Sequence, residues 1–259
     1  MTERAELLVA RPAAGVVQLT LNRPEKRNAL ATPLLGAVAA ALAEAAGDGA
    51  VACAVLTGGP QVFAAGADIN ELAVKTPVMA ETEVRGQHWA TIRVFPKPLI
   101  AAIEGFCLGG GLELALCADI VVAGEGARFG TPEINLGIMP GGGGTQWLPR
   151  IVGKSLAMKM VLSGQPIGAE EALAAGLIAE LAPAGEATAR ALALAETIAA
   201  KPAFALRIAK DAVLKAYSTA FNDGLAYERR SFAVLLASED KAEGTTAFIE
   251  KRKPQFKGR

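Results

Sequence analysis

The sequence is poor in histidine and cysteine, which excludes several kinds of catalytic site. His88 is the only histidine, so a Ser-His-Asp mechanism would depend on it alone. It lies in a helical stretch without a nucleophile motif, and we expect it to pack rather than to catalyse. The three cysteines, Cys53, Cys107 and Cys117, include no CxxC pair. We therefore expect packed thiols in a reducing cytoplasm, with no disulfide framework and no metal site.

The chain also lacks an excess of either charge and a long apolar run. Its 26 Lys and Arg balance 26 Asp and Glu, which argues against nucleic-acid or anionic-membrane partners. No apolar stretch reaches the roughly 18–20 residues of a membrane span without charges or glycines. Met1–Glu6 has no signal-peptide apolar core. With 52% hydrophobic and 20% charged residues, the chain is typical of a packed cytoplasmic protein.

Apolar strand-like runs alternate with helical stretches over the first 180 or so residues. We predict strands at 7–10, 16–22, 51–57, 98–104 and 120–123, and helices at 32–46, 69–74, 77–94 and 109–118. This order predicts an α/β domain whose strands are covered on both faces. After Pro183 only helices are predicted, at 187–200, 202–217, 221–237 and 238–251. Such a helical appendage must bury an apolar face, which indicates an oligomerisation element.

The glycine run Gly109–Gly111, followed by Glu113, is the most unusual local feature. Three glycines at a helix entry leave backbone N–H groups open to close approach, and Glu is seldom buried without a role. Tight packing of a strand on a helix would explain the glycines equally well. Likewise, Glu133 after Pro132 would by itself read as an exposed loop acid, and Gly141–Gly144 lacks the ending of a phosphate loop.

Combined with the small-residue loop Phe63–Asp68, these pieces can support a specific chemistry. The N–H groups of Ala67 and Gly110 could form an oxyanion hole. Glu113 and Glu133 could then supply the base and the acid that add water across a polarised double bond. Burial would raise the pKa of Glu113 and a helix N-terminus would lower it, and both outcomes stay open.

Six ordered motifs resemble the enoyl-CoA hydratase/isomerase (crotonase) superfamily along the whole chain. They are Leu21–Leu30 (LNRPEKRNAL), Phe63–Ile69 (FAAGADI), Gly105–Ala115 (GFCLGGGLELA), Arg128–Ile134 (RFGTPEI), Gly137–Gln146 (GIMPGGGGTQ) and Phe248–Lys257 (FIEKRKPQFK). The resemblance implies a crotonase-like spiral of ββα turns over residues 1–190. It also implies a C-terminal helical trimerisation region over 191–259, assembled as a homotrimer or as a hexamer made of two trimers.

The resemblance also implies roles for individual residues. Glu113 and Glu133 match the two catalytic glutamates of hydratases, and Ala67 and Gly110 match the amides that hold the thioester oxygen. The substrate is an acyl-CoA thioester, and no separate cofactor is implied because CoA is part of it. Contacts with the substrate are implied for six further positions, the last two reaching it from a neighbouring subunit: Ala65, Asp68, Ile69, Gly141, Phe248 and Lys251.

Two positions depart from the common hydratase pattern. Asn70 replaces a frequent Lys, which removes one charge contact to CoA, and Trp147 replaces an Arg, which alters loop packing. Asn70 and the Pro254–Arg259 tail are similar to hydratases of phenylacetate catabolism that act on 2,3-dehydroadipyl-CoA. The alternatives are a Δ3,Δ2-enoyl-CoA isomerase and an RNA-binding member of the scaffold, for which the basic stretches Arg229–Arg230 and Glu250–Lys257 are the candidate surface.

Overall fold

A computed structural model describes residues 5–259 of the chain. Its strands form two sheets. The six-stranded sheet has the order β1-β2-β3-β5-β7-β10 and the four-stranded sheet the order β4-β6-β8-β9. The strands are β1 Leu7–Ala13, β2 Gly15–Leu21, β3 Val51–Thr57, β4 Val62–Ala64, β5 Leu99–Ile103, β6 Phe106–Leu108, β7 Ile120–Gly124, β8 Arg128–Gly130, β9 Ile167–Gly168 and β10 Glu180–Ala182. Pairing is parallel except at β1–β2 and β8–β9.

Helices follow the strand pairs and then fill the C-terminal third. They are α1 Thr32–Gly47, α2 Ile69–Ala73, α3 Pro77–Thr82, α4 Arg85–Arg93, α5 Gly110–Ala115, α6 Gly144–Ile151, α7 Gly153–Ser163, α8 Ala169–Ala174, α9 Ala187–Ala199, α10 Ala203–Lys215, α11 Phe221–Leu236 and α12 Glu239–Ile249. Two 3₁₀ helices, Pro24–Lys26 and Pro132–Leu136, complete the secondary structure of residues 5–259.

The repeating unit of the fold is two strands followed by helical structure. The pairs β3–β4, β5–β6 and β7–β8 each give one strand to the large sheet and one to the small sheet before the chain turns helical. The predicted α/β architecture of ββα turns, followed by helices without strands, is therefore confirmed. Within residues 5–259 no strand follows β10.

The large sheet is covered on both faces, as its apolar strands require. Along β3, Ala54 and Leu56 belong to the main core, whereas Cys53 and Val55 face α9. Helix α9 meets them with Ala187, Ala191 and Ala195, which are fully buried at four-residue spacing. This helix spans the expected boundary at residues 190/191, so its first part packs on the sheet; the two-part division itself stays a prediction.

Helices α10 and α11 bury no residue within the single chain. Helix α10 is fastened to the sheet by Lys210, whose Nζ lies 2.7 Å from Asp119 Oδ2 and donates to the carbonyl of Lys97 at 2.9 Å. The C-terminal residues after α12 are bound to that helix by the buried Asp240, which accepts hydrogen bonds from the N–H groups of Lys257 and Gly258. Unlike α9, helices α10 and α11 therefore bury no face against the core of the single chain.

One predicted helix is wrong in its extent. The stretch 77–94 forms two helices, α3 and α4, because Glu83 adopts an extended conformation between them. The short helix α3 buries no side chain, and α4 buries only Trp89 and Ile92. A continuous helix would therefore have gained little packing energy in this region. None of the helices in residues 5–259 combines the length and apolar character that a membrane span requires.

Candidate active site

A buried asparagine fixes the loop that precedes the site. Asn28 lies in a left-handed conformation with φ of 53°, and its side chain is 1% exposed. Its Nδ2 donates to the carbonyls of Gly58, Val62 and Phe63, and its Oδ1 accepts the N–H of Arg23. The motif Leu21–Leu30 therefore anchors the backbone around β4, from which the oxyanion loop continues.

The loop after β4 is held so that Ala67 faces the start of α5. Arg27 accepts the N–H of Ala65 at 3.0 Å, and Leu30 donates to the carbonyl of Gly66 at 2.7 Å. A Cβ atom placed on Gly110 would lie 3.6 Å from the nitrogen of Ala67. Gly110 is the first residue of α5, where the N–H has no acceptor within the helix. The two N–H groups predicted to form the oxyanion hole are thus neighbours.

A different structural reason explains each glycine of Gly109–Gly111. Gly109 has φ of 52°, and a Cβ there would lie 2.9 Å from Glu133 Oε1. A Cβ on Gly111 would come within 2.4 Å of the carbonyl oxygen of Ala64. Gly111 therefore serves the close packing of strand and helix, whereas Gly109 and Gly110 border the site. Tight packing therefore explains Gly111, and the functional explanation stays a prediction for Gly109 and Gly110.

Glu113 is a buried carboxylate held at one oxygen. It lies one turn into α5 and is 4% exposed. Its Oε1 accepts the N–H groups of Gly142 at 2.6 Å and Gly144 at 2.8 Å. Burial raises the pKa of Glu113 and outweighs these two hydrogen bonds and the nearby arginines Arg93 and Arg85, which lower it. The direction agrees with the effect of burial expected from the sequence.

Glu133 is the second carboxyl group, in the 3₁₀ helix that follows β8. Its Oε2 is buried and has no hydrogen-bond partner among residues 5–259. The pKa of Glu133 is raised to about 7, chiefly by burial and to a smaller extent by the charge of Glu113, against a lowering by its own backbone. A carboxyl group with this pKa can hold or release a proton near neutral pH, which suits general acid–base work.

The turn Gly141–Gly144 orients Glu113 and is itself held from α4. Arg93 Nη2 donates to the carbonyl of Gly142 at 2.5 Å, and the guanidinium lies 5.6 Å from the centre of the Trp89 ring. A Cβ on Gly142 would lie 2.7 Å from Glu113 Oε2. This glycine-rich turn therefore serves to bring two N–H donors onto a carboxylate, and its glycines leave room for that carboxylate.

A single cavity of about 790 Å³ joins these groups. Eight of the ten predicted site residues line it: Ala65, Ala67, Asp68, Ile69, Gly110, Glu113, Glu133 and Gly141. Asp68 also caps α2 by accepting the N–H of Asn70 at 3.0 Å. Phe248 and Lys251 do not line it, and Phe248 is 85% exposed. Their predicted contact from a neighbouring subunit stays a prediction.

Several residues that the motifs did not single out also line the cavity. Lys26 and Arg27 lie beside the oxyanion loop, where the expected Lys at position 70 is replaced by Asn70. Lys75, Arg85 and Trp89 form part of another wall. A sequence signal existed for the first pair, because basic residues precede Asn28 inside a recognised motif. Trp147, the second departure, packs at 5.5 Å against the ring of Tyr217, outside this lining.

Comparison with known proteins places this geometry in a family. The family model described as enoyl-CoA hydratase/isomerase matches residues 11–259. The chain is 51% identical to the 2,3-dehydroadipyl-CoA hydratase of Escherichia coli, over 98% of this chain and 100% of that protein. It is 43% identical to the mitochondrial enoyl-CoA hydratase of Pongo abelii, over 94% and 83% of the two chains. The crystal structure of an enoyl-CoA hydratase from Mycobacterium tuberculosis superposes with a TM-score of 0.90 at 36% identity, covering 98% of this chain and 99% of that one. The chain belongs to the enoyl-CoA hydratase/isomerase family.

Proposed function

We propose that the protein is an enoyl-CoA hydratase, which adds water reversibly to a trans-2-enoyl-CoA to give a 3-hydroxyacyl-CoA. The observation that carries the proposal is the pair of carboxyl groups, Glu113 and Glu133, on one cavity beside two adjacent backbone N–H groups. A hydratase needs both a base for water and an acid for carbon, and an isomerase needs only a proton shuttle. The presence of two carboxyl groups with raised pKa values favours the hydratase.

In the hydration direction, the N–H groups of Ala67 and Gly110 bind the thioester oxygen and stabilise the negative charge that develops there. Ionised Glu113 removes a proton from water, whose oxygen bonds to the β-carbon. The electron pair of the double bond moves toward the thioester, and protonated Glu133 delivers its proton to the α-carbon. One proton has then moved from Glu133 to the substrate and one from water to Glu113, so the pair keeps its total charge.

The fixed carboxylate explains how water is positioned. Because Glu113 Oε1 is bound by Gly142 and Gly144, Oε2 is the oxygen available to the water molecule. Glu133 lines the same cavity, so its carboxyl group is the one that would deliver the proton to the α-carbon. Both groups act on one face of the double bond, which corresponds to syn addition.

Substrate identity follows from the same resemblance. The name of the Escherichia coli relative specifies an acyl group of six carbons that ends in a carboxylate. We infer that this chain accepts the same class, as part of phenylacetate or fatty-acid catabolism. Lys26 and Arg27 at the cavity provide positive charge for the CoA phosphates, which compensates for Asn70.

The test is hydration of crotonyl-CoA, followed as loss of absorbance of the conjugated thioester. Glu113→Gln and Glu133→Gln should each lower kcat by about 10²–10⁴-fold, whereas Glu125→Gln, at an exposed turn outside the cavity, should retain wild-type turnover. Near-normal hydration by both glutamine variants would contradict the mechanism. Conversion of a 3-enoyl-CoA without hydration of crotonyl-CoA would identify an isomerase. Salt-sensitive retention of RNA without turnover would identify a binding protein.

We also infer that the chain assembles as a homotrimer or a hexamer through its C-terminal helices. Helices α10 to α12 expose large apolar side chains, including Phe221 at 78%, Phe232 at 53% and Phe248 at 85%. A second copy would cover them and bring its Phe248 and Lys251 to the CoA end of the site. Light scattering should give three or six times the chain mass of 26.6 kDa. A monomeric, fully active enzyme would refute the inference.

A further inference from the structure

Arg85 brings a guanidinium with unused donors to the cavity. It is the first residue of α4, and its side chain is 11% exposed. Its Nη1 donates to the carbonyl of Leu30 at 3.0 Å and lies 4.0 Å from Glu71 Oε2. No acceptor among residues 5–259 is bound to its Nε or Nη2. A guanidinium carries five N–H donors, so most of the hydrogen-bonding capacity of Arg85 is unused.

The neighbouring charged groups are already committed to other partners. Lys75 Nζ lies 2.6 Å from Glu83 Oε1, and the two form an ion pair. The carboxylate of Glu71 accepts the N–H of Thr32 with both oxygens, at 2.9 and 3.0 Å, and its hydroxyl at 2.8 Å. Of the two cations on this wall, Arg85 is therefore the one that can bind an incoming anion.

The position of Arg85 suits the far end of an acyl chain. Arg85, Gly86 and Trp89 share one side of α4 and line the same cavity as the two glutamates. Arg85 is near enough to Glu113 for each charge to influence the pKa of the other. Lys26 and Arg27 lie beside the oxyanion loop, so CoA enters there under the proposed function. An acyl chain that continues beyond the reacting carbons then meets the wall formed by α4.

We propose that Arg85 binds a carboxylate at the far end of the acyl group and makes the enzyme prefer dicarboxylyl enoyl thioesters over monocarboxylyl ones of equal length. A guanidinium fork matches a carboxylate in two parallel hydrogen bonds, which gives geometry as well as charge. The proposal rests on the proposed function, because hydratase chemistry fixes the other end of the substrate.

Two six-carbon substrates make the comparison direct. 2,3-Dehydroadipyl-CoA and trans-2-hexenoyl-CoA differ only in a terminal carboxylate against a methyl group. In the wild type, kcat/KM should be higher for 2,3-dehydroadipyl-CoA than for trans-2-hexenoyl-CoA. Arg85→Met should lower the ratio of the two kcat/KM values by about tenfold to hundredfold, chiefly through KM. Arg85→Lys keeps the charge and loses the fork, so its ratio should lie between these values.

Lys75→Met is the matched control, because Lys75 is a cation on the same wall that is already paired. Its ratio should stay within about fivefold of wild type. A parallel loss on both substrates in Arg85→Met would mean that Arg85 acts only through Glu113, and would overturn the proposal. A larger loss of preference in Lys75→Met would overturn it in favour of Lys75.

The wild-type enzyme separates this proposal from the one on which it rests. Hydration of neither substrate would refute the hydratase function itself. Equal kcat/KM values on both would refute only the role of Arg85. If Arg85→Met does not fold, inhibition of wild-type enzyme by adipyl-CoA and hexanoyl-CoA gives the same comparison, and equal inhibition constants would count against the proposal.

Discussion

Raising the pH from 7 to 9 should lower kcat/KM for hydration about fiftyfold. The cause is Glu133, whose pKa is raised to about 7 by burial and by the charge of Glu113. Hydration needs this carboxyl group protonated, because its proton goes to the α-carbon. At pH 7 about half of the molecules carry this proton, and at pH 9 about one in a hundred does, which gives the fiftyfold loss.

The reverse reaction provides an internal check on this reasoning. Dehydration starts with Glu113 protonated and Glu133 ionised, which is the same total number of protons on the pair. The equilibrium between the two substrates does not depend on pH, so kcat/KM must follow the same bell-shaped curve in both directions. The acid and alkaline limbs of this curve give apparent pKa values that belong to the pair and not to either carboxyl group, because the two groups influence each other.

The assay is a pH series of kcat/KM for crotonyl-CoA and for 3-hydroxybutyryl-CoA at constant ionic strength. Glu133→Gln should lose the alkaline limb together with most of its activity, since glutamine does not titrate. The control variant Glu125→Gln should keep both. A wild-type profile that is flat between pH 7 and 9 would refute the assignment of Glu133 as the proton donor.

Three further predictions concern the surroundings of the pair. Gly142→Ala places a Cβ 2.7 Å from Glu113 Oε2, so kcat should fall about 10–100-fold through displacement of that carboxylate. The control is Gly126→Ala, whose Cβ would meet no atom within 4 Å and which should retain normal turnover. An equal loss of kcat in both variants would contradict the explanation. Asn28→Ala leaves three backbone carbonyls, one buried and two partly buried, without their side-chain donor and should cost about 2–4 kcal/mol in urea unfolding. The exposed Asn70→Ala should change that free energy by less than about 0.5 kcal/mol, and a similarly small change in Asn28→Ala would show that the anchor is dispensable. Glu133→Gln should melt at a higher temperature than wild type at pH 8.5 and at nearly the same temperature at pH 5. The raised pKa means that the folded state holds this proton more tightly than the unfolded chain does. The stabilising contribution of Glu133 is therefore present below about pH 4.5 and is lost as the pH rises through about 7. Equal melting temperatures of the variant and the wild type at pH 8.5 would contradict this direction.

Much of the site could be predicted because its chemistry depends on short stretches of chain. Gly110 and Glu113 lie on one helical turn, and the ordered motifs indicated Ala67 and Glu133 as their partners. The large-sheet strands other than β10 were predictable because each is an apolar run bounded by turns. By contrast, β4, β6, β8, β9 and β10 have two or three residues each, too few for a period-two pattern to appear.

The wall formed by α3 and α4 could not be predicted, for a physical reason. Sequence periodicity reports burial, and this region buries only Trp89 and Ile92 within its two helices. The orientation of Arg85 depends on its hydrogen bond to Leu30, which lies 55 residues earlier. The expected contacts of Phe248 and Lys251 with CoA stay a prediction for another reason, because the site that they would contact belongs to a different copy of the chain.

The single histidine offers a practical use of this architecture. His88 is half-buried on α4, and a Cβ on Gly36 of α1 would lie 3.0 Å from its Nε2. Its neighbour Trp89 lines the cavity. In a proton NMR spectrum, a chain with one imidazole gives one pair of ring C–H resonances that need no assignment. Titration with acyl-CoA analogues of increasing length would show, through those two lines, the length at which the acyl chain first displaces α4.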